Sequence, residues 1–219
     1  QEIMDDLNIS GDVVPQTLQE LDTINRFLGG NNISLSALKS LKKTCEINTL
    51  VDLGCGGADI LIQMSKISPN TAFTGIDANP HIVDYARKHA SSYSNIEPLC
   101  ENIFSDSFKK REFDIIHCCL FLHHFTHEEL VSLFRQFKAQ AQKAIIVNDL
   151  HRHFLAYYSI KLITRLFSKS YMVRNDAAVS VARGFKRVEI QQILADAGIT
   201  NYSLSWKWAF RWKLVITCD

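Results

Sequence analysis

The sequence predicts an α/β fold: a seven-stranded, mostly parallel sheet with an antiparallel edge hairpin, N-terminal helices and a helical lid insertion. Three observations predict it. From Thr49 onward, short apolar runs alternate with amphipathic helical patterns, as parallel strands covered on both faces require. In Leu50–Asp59, LVDLGCGGAD, an apolar run meets an acid, Asp52, and then Gly54, Gly56 and Gly57, before a helical pattern starts at Ile60. That is a strand turning sharply into a helix, with no side chains in the way of a ligand. The last two apolar runs are separated only by Lys207–Trp212, so they read as an antiparallel hairpin.

The elements follow in order. Residues 1–48 are mostly helical in pattern. Leu18, Leu21, Ile24, Phe27 and Leu28 share one face, and Gly29-Gly30 stops that helix; Leu35, Leu38 and Leu41 form a second short stripe. Strands are expected at Leu50–Leu53, Ala72–Ile76, Glu97–Cys100, Ile115–Cys119, Ala144–Asn148, Tyr202–Trp206 and Lys213–Cys218, with helices at about 58–67, 80–91, 127–140 and 187–197. Trp206, Trp208 and Trp212 are read as core packing, with a dimer surface as the rival.

Residues 151–182 interrupt the rhythm. Phe154–Phe167 is strongly apolar, and residues 151–174 hold five Lys/Arg and no acid. Three readings stand: a core-packed helix with its cations in solvent, a lid over the mouth of the sheet, or a helix resting on a membrane surface.

Composition narrows the class. The 219 residues are 47% hydrophobic with a formal net charge of +1, enough for a sizeable core and without a basic field that would call for nucleic acid. Six scattered cysteines form no CxxC pair, so neither a zinc ribbon nor a dithiol redox site is indicated, and Cys118-Cys119 read as buried thiols of a reducing cytoplasm. The acidic start, QEIMDD, is wrong for a signal peptide, and no apolar stretch is long enough to span a bilayer.

The glycine loop implies a nucleoside ligand. The dinucleotide fingerprint wants a small residue where Asp59 stands, and a carboxylate there would repel pyrophosphate, which argues against NAD or FAD. No Lys-Ser/Thr pair follows the glycines, which excludes a P-loop. Asp77 ends the next strand and offers two acceptor oxygens to the hydroxyls of a ribose; a helix cap before Pro80 is its bland alternative.

With VDLGCGGAD, TGIDANP, CENIF and FDIIHCCLFLHHF in place, residues 48–218 resemble the class I S-adenosylmethionine-dependent methyltransferases, of Rossmann-like fold. The nearest flavour is the ubiquinone/menaquinone-type and small-molecule branch. Asp52, Gly54 and Gly56 take the acid-x-Gly-x-Gly positions, with Ala58 replacing the third glycine and Asn102 the usual adenine-side acid. The resemblance implies S-adenosylmethionine as cofactor, bound by Asp52, Gly54, Cys55, Gly56, Asp77, Ala78, Asn102, Ile103 and Cys118. It implies an N-terminal helical cap at 1–48 and a methyltransferase domain at 49–219 with the lid at 151–182.

Methyl transfer is an in-line displacement that needs alignment, exclusion of water and sometimes a base. The acceptor site is expected past the fourth and fifth strands. His124 is the first candidate base and His123 the second, with His151 and His153 as rivals. Asp149, His151, Arg152, Tyr157 and Arg183 are candidate acceptor-binding residues. His123 and His127 are four apart but lack a third zinc ligand, and magnesium has no acid at His117-Cys118, so no metal is expected. The expected acceptor is a small, partly apolar metabolite (phenolic, quinol, polyketide or lipid-like), with O-methylation ahead of C-methylation of a quinone-type substrate. A non-catalytic binding module is the alternative from another class. No nucleic-acid partner is expected, and the chain is read as cytoplasmic, a monomer or homodimer.

Overall fold

A computed structural model describes residues 2–6, 9, 11 and 13–218. Seven strands form one sheet: β1 (Thr49–Leu53), β2 (Ala72–Asp77), β3 (Ile96–Cys100), β4 (Phe113–Cys119), β5 (Ala141–Leu150), β6 (Tyr202–Lys207) and β7 (Arg211–Thr217). Their order is β3-β2-β1-β4-β5-β7-β6. The first five run parallel; β7 lies antiparallel to β5 and β6 antiparallel to β7, as the short hairpin predicts. The order reverses between β1 and β4, and open α/β sheets place ligands beyond the strand ends at such a point.

The period of two decides the layers. Leu50, Ile115 and Ile146 pack to one side against α2 (Gly30–Leu41) and α3 (Asp59–Ile67), beside Leu38, Leu61 and Met64. Val51, Ile116 and Ile145 pack to the other against α6 (His127–Gln140) and α9 (Arg187–Asp196), beside Leu130, Phe137 and Leu194. α1 (Val13–Phe27) ends before Gly29, whose φ of 71° turns the chain into α2. α4 (Pro80–His89) and the short α5 (Asp106–Lys109) complete the parallel half.

Three expectations change here. β5 runs to Leu150, so Asp149 lies within a strand rather than after it. The segment Phe154–Phe167 forms α7, followed by α8 (Tyr171–Arg183). α7 is not core-packed: Ala156 and Thr164 are buried, while Phe154, Leu155, Tyr158, Leu162, Leu166 and Phe167 are exposed. Its pattern is apolar on more faces than α8 can cover. The tryptophans divide likewise: Trp212 is core, but Trp206 and Trp208 are exposed. No helix among the described residues is long and apolar enough to cross a membrane.

Candidate active site

The loop after β1 is built around backbone contacts. Gly54 and Cys55 N–H donate to the Ile76 carbonyl at 2.8 and 3.0 Å, fixing the loop to the end of β2. Gly54 has φ of 71°, and a Cβ there would stand 2.4 Å from Phe121 Cδ2. Ala58 holds φ of 63° in the place of the third glycine and starts α3. A non-glycine residue in that region is strained, so the backbone conformation outlasts the change of residue.

Asp77 faces this loop. Its Oδ2 accepts from Gly56 N–H at 3.3 Å and its Oδ1 from Asn79 N–H at 3.0 Å. Burial pushes the Asp77 carboxyl up, and these N–H groups only partly offset that. The helix cap is Asn79, whose Oδ1 accepts from His81 and Ile82 N–H, so Asp77 is left out of that task. Ala78 follows at the same strand end. Asn102 Oδ1 accepts from Phe104 N–H at 2.9 Å in a tight turn, with Ile103 buried beside it. An aromatic strip, Phe121, Phe125 and Phe104, joins the two regions with centroid distances of 5.0 and 5.9 Å. FLHHF carries two of these rings four residues apart, a signal that sequence reasoning passed over.

Two expected cofactor contacts are not side-chain contacts. Cys118 is fully buried in the core and Cys55 packs against Gly75; burial pushes both thiols well above their ordinary value. Asp52 also points inward. Its Oδ1 lies 2.7 Å from His117 Nδ1, and His117 Nε2 lies 2.8 Å from Ser34 Oγ. Asn148 Nδ2 reaches the same Ser34 and the Gly30 carbonyl. Asp52 therefore ties the first strand to α2 through a buried polar chain that spacing does not reveal.

The acceptor-side candidates split into two groups. A 3-10 turn at Leu122–His124 follows β4 and brings His123 and His124 together, ring centroids 4.4 Å apart. His123 Nδ1 lies 2.7 Å from Asp149 Oδ1, and His124 Nδ1 lies 2.8 Å from Asp5 Oδ1. Arg183 reaches Glu2 at 3.2 Å and Asp5 at 2.9 Å, closing the group. Burial alone would lower the His123 imidazole, but Asp149, with Glu2 beyond it, raises it. Burial would raise the Asp149 carboxyl, but His123 and the Leu122 and Leu150 N–H groups hold it below the usual carboxylate range. Asp149 is thus buried and its oxygens are occupied by these donors; it positions His123 instead of meeting an acceptor. Glu2 and Asp5 were missed because sequence offers no link from residue 2 to residue 123.

The second group faces the β6–β7 hairpin. His151 Nδ1 accepts from the Trp206 indole at 3.2 Å, and His153 caps α7 and stacks on Phe210. Burial, then His153, lowers the His151 imidazole. Arg152 pairs with Glu189, and Tyr157 packs beside Leu150 and Val181. His127 pairs with Asp196 at 2.9 Å, away from His123. Arg211 was also missed. Its guanidinium is buried, Nη2 donates to Asn25 at 2.9 Å, and Nε and Nη1 have no hydrogen-bond partner among the described residues.

Residues 50–143, which hold the loop, Asp77, the aromatic strip and the histidine pair, match a family described as a methyltransferase domain. That match spans 94 of the 219 residues. No curated protein matches the chain in sequence. Among solved structures, this chain resembles a plantazolicin methyltransferase in complex with SAH and a desmethyl analog: 17% identity, TM-score 0.72, covering 94% of this chain and 90% of that one. A magnesium protoporphyrin IX methyltransferase from Synechocystis with bound SAH shares 17% identity at TM-score 0.59, over 89% of this chain and 84% of that one. A Nostoc punctiforme protein with an O-methyltransferase name shares 18% identity at TM-score 0.63, over 87% of this chain. This chain spans only 56% of that protein's length. At these identities the likeness is one of fold.

Proposed function

We propose that this chain moves a methyl group from S-adenosylmethionine to a hydroxyl of a small, partly apolar metabolite. The observation that carries this is the pairing of the Gly54 loop with Asp77. The loop presents bare backbone, a Cβ at Gly54 has no room, and the Asp77 oxygens stand at the strand end with lone pairs beyond those the two N–H groups use. That fits a nucleoside with a ribose diol. Asp77 takes the ribose, Gly54 and Gly56 the adjoining chain, and Ala78, Asn102 and Ile103 the base, with Phe121 and Phe104 as apolar walls. Asp52 supports the loop from within.

When bound, S-adenosylmethionine supplies an electrophilic methyl on a sulfonium sulfur. The chain's own residues do the rest. Phe121 and Phe125 exclude water from the strand ends. His124 and His123, each held by a carboxylate at Nδ1, turn Nε2 toward a common space, where an imidazole can take a hydroxyl proton. Arg183 and Arg211 supply positive charge near the acceptor; the unpartnered atoms of Arg211 favour a substrate with an acidic or strongly polar end. α7 supplies the apolar surface of a lid. Cys45, Cys55, Cys100, Cys118 and Cys119 form no disulfide, which supports a reducing, cytoplasmic setting.

Calorimetric titration with S-adenosylmethionine tests the donor assignment. Saturable binding to a single site is expected; no heat at millimolar ligand refutes it.

A further inference from the structure

We propose that Glu2, His123 and His124 bind a divalent transition-metal ion of the zinc class. Each imidazole is already oriented for it. His123 meets Asp149 at 2.7 Å and His124 meets Asp5 at 2.8 Å, both through Nδ1. An ionised carboxylate can only accept, so each Nδ1 carries a proton, and it is Nε2 whose lone pair a metal ion would take. Outer carboxylates fix metal-binding histidines in this way.

Both Nε2 atoms turn to one carboxylate. His123 Nε2 lies 3.7 Å from Glu2 Oε1 and His124 Nε2 lies 3.9 Å from Glu2 Oε2. These separations exceed a hydrogen bond. They lie close to the spacing of about 3.4 Å between two ligands of a tetrahedral ion with bonds of about 2.1 Å. One ligand atom from each of the three residues lies within 4.8 Å of the others, so modest ring and carboxylate rotations close the set. A separate observation points the same way. The His123 side chain is 2% exposed, and its Nε2 has no hydrogen-bond partner among the described residues. A buried lone pair without a donor is costly, and a cation satisfies it.

Charge and donor type select the ion. Glu2, Asp5 and Asp149 surround the rings, with Arg183 as the one guanidinium paired to the group. Three carboxylates against Arg183 and the nearby buried Arg211 leave a net negative charge for a cation to meet. Two imidazoles and one carboxylate suit zinc, cobalt or iron(II) better than magnesium or calcium. Three protein ligands leave a position open, and the His124 side chain is 28% exposed. If the methyl-transfer reading holds, a bound ion takes over from the imidazoles as the aid to deprotonation, and an acceptor hydroxyl in the open position loses its proton to water more readily. The ion-binding claim does not depend on that reading.

The test uses the full chain, freed of metal by a chelator and titrated with cobalt(II) chloride under visible absorption. One equivalent is expected, with the strong d–d bands of a tetrahedral site. Glu2→Gln and His124→Asn are each expected to weaken uptake at least tenfold. Circular dichroism and S-adenosylmethionine titration of the same samples show whether the fold and the donor site are intact. Less than one equivalent in the wild type, or wild-type affinity in either variant, overturns the proposal. Failure of S-adenosylmethionine binding alone overturns the methyl-transfer reading and leaves the ion site standing.

Discussion

His123 Nδ1 and Asp149 Oδ1 stand 2.7 Å apart across 26 residues of sequence, and both side chains are almost wholly inaccessible. Asp149 also accepts from Leu122 and Leu150 N–H, so one carboxylate fixes the turn, the strand end and the ring. Asp149→Asn replaces one accepting oxygen by an NH2 group that opposes a donor. Breaking a buried pair from one side costs about 3–5 kcal/mol. Urea unfolding should show a loss of that size, and turnover should fall while S-adenosylmethionine affinity is kept. An unchanged unfolding midpoint would show that the pair contributes nothing.

Asp77→Ala removes both proposed ribose acceptors. Hydrogen bonds to a charged group contribute about 1.5–3 kcal/mol each, so two amount to a loss of roughly a hundredfold or more in cofactor affinity. Titration calorimetry measures this, with circular dichroism as the check on folding. Wild-type affinity would refute the ribose assignment.

Gly54→Ala sets a methyl 2.4 Å from Phe121 Cδ2 at a backbone with φ of 71°. The ring and loop must both shift, so cofactor affinity is expected to fall at least tenfold. The double variant Gly54→Ala/Phe121→Ala should recover part of it, since it removes the clash but not the backbone strain. With Phe121→Ala alone as the reference for loss of the ring, affinity in the double variant below that reference by the full Gly54→Ala effect would assign the whole effect to the backbone.

The sheet was legible because its causes are local. Continuous apolar runs marked β1, β2 and β4, and Lys207–Trp212 was too short for a crossover. Asp77 and the loop were legible for the same reason, being fixed by two strand ends. The acceptor side was only half legible. FLHHF placed the histidine pair, but Asp5, Glu2 and Arg183 join it through tertiary packing, which no spacing encodes. Asp149 and Cys118 were misjudged because a polar or thiol side chain near a strand end can face either way. For Asp149 the strand running two residues past Asn148 decides it; for Cys118, whose strand ends at Cys119 as expected, the alternation of faces does.

Asp114 gives a pH dependence outside the site. Its carboxylate accepts from Asn48 and Thr49 N–H at 2.6 and 3.2 Å and pairs with Lys143 at 2.9 Å. Burial would raise it, but these partners outweigh that and hold it below its ordinary value of 3.8. A lowered folded-state value means that the stabilisation is complete above the ordinary value. It is lost as pH falls through the lowered one. Asp114→Asn should therefore be less stable than wild type by about 1–2 kcal/mol near neutrality. The gap should close in acid, as followed by urea unfolding between pH 7 and pH 2. A gap independent of pH would remove the charge as its cause.

The exposed face of α7 separates a lid from a core helix. Leu162 is 59% exposed at the middle of that face, whereas Phe137 on α6 is fully buried. Phe137→Ala removes core volume and should cost about 3–5 kcal/mol. Leu162→Gln changes a mostly exposed side chain and should stay within about 0.5 kcal/mol of wild type. If the face closes over an acceptor, Leu162→Gln raises KM for an apolar acceptor several-fold and leaves S-adenosylmethionine affinity alone, because the donor is held at β1 and β2. Thermal unfolding and steady-state kinetics on one preparation read both. A stability loss as large as that of Phe137→Ala would return α7 to the core, and an unchanged KM would detach its apolar face from the acceptor.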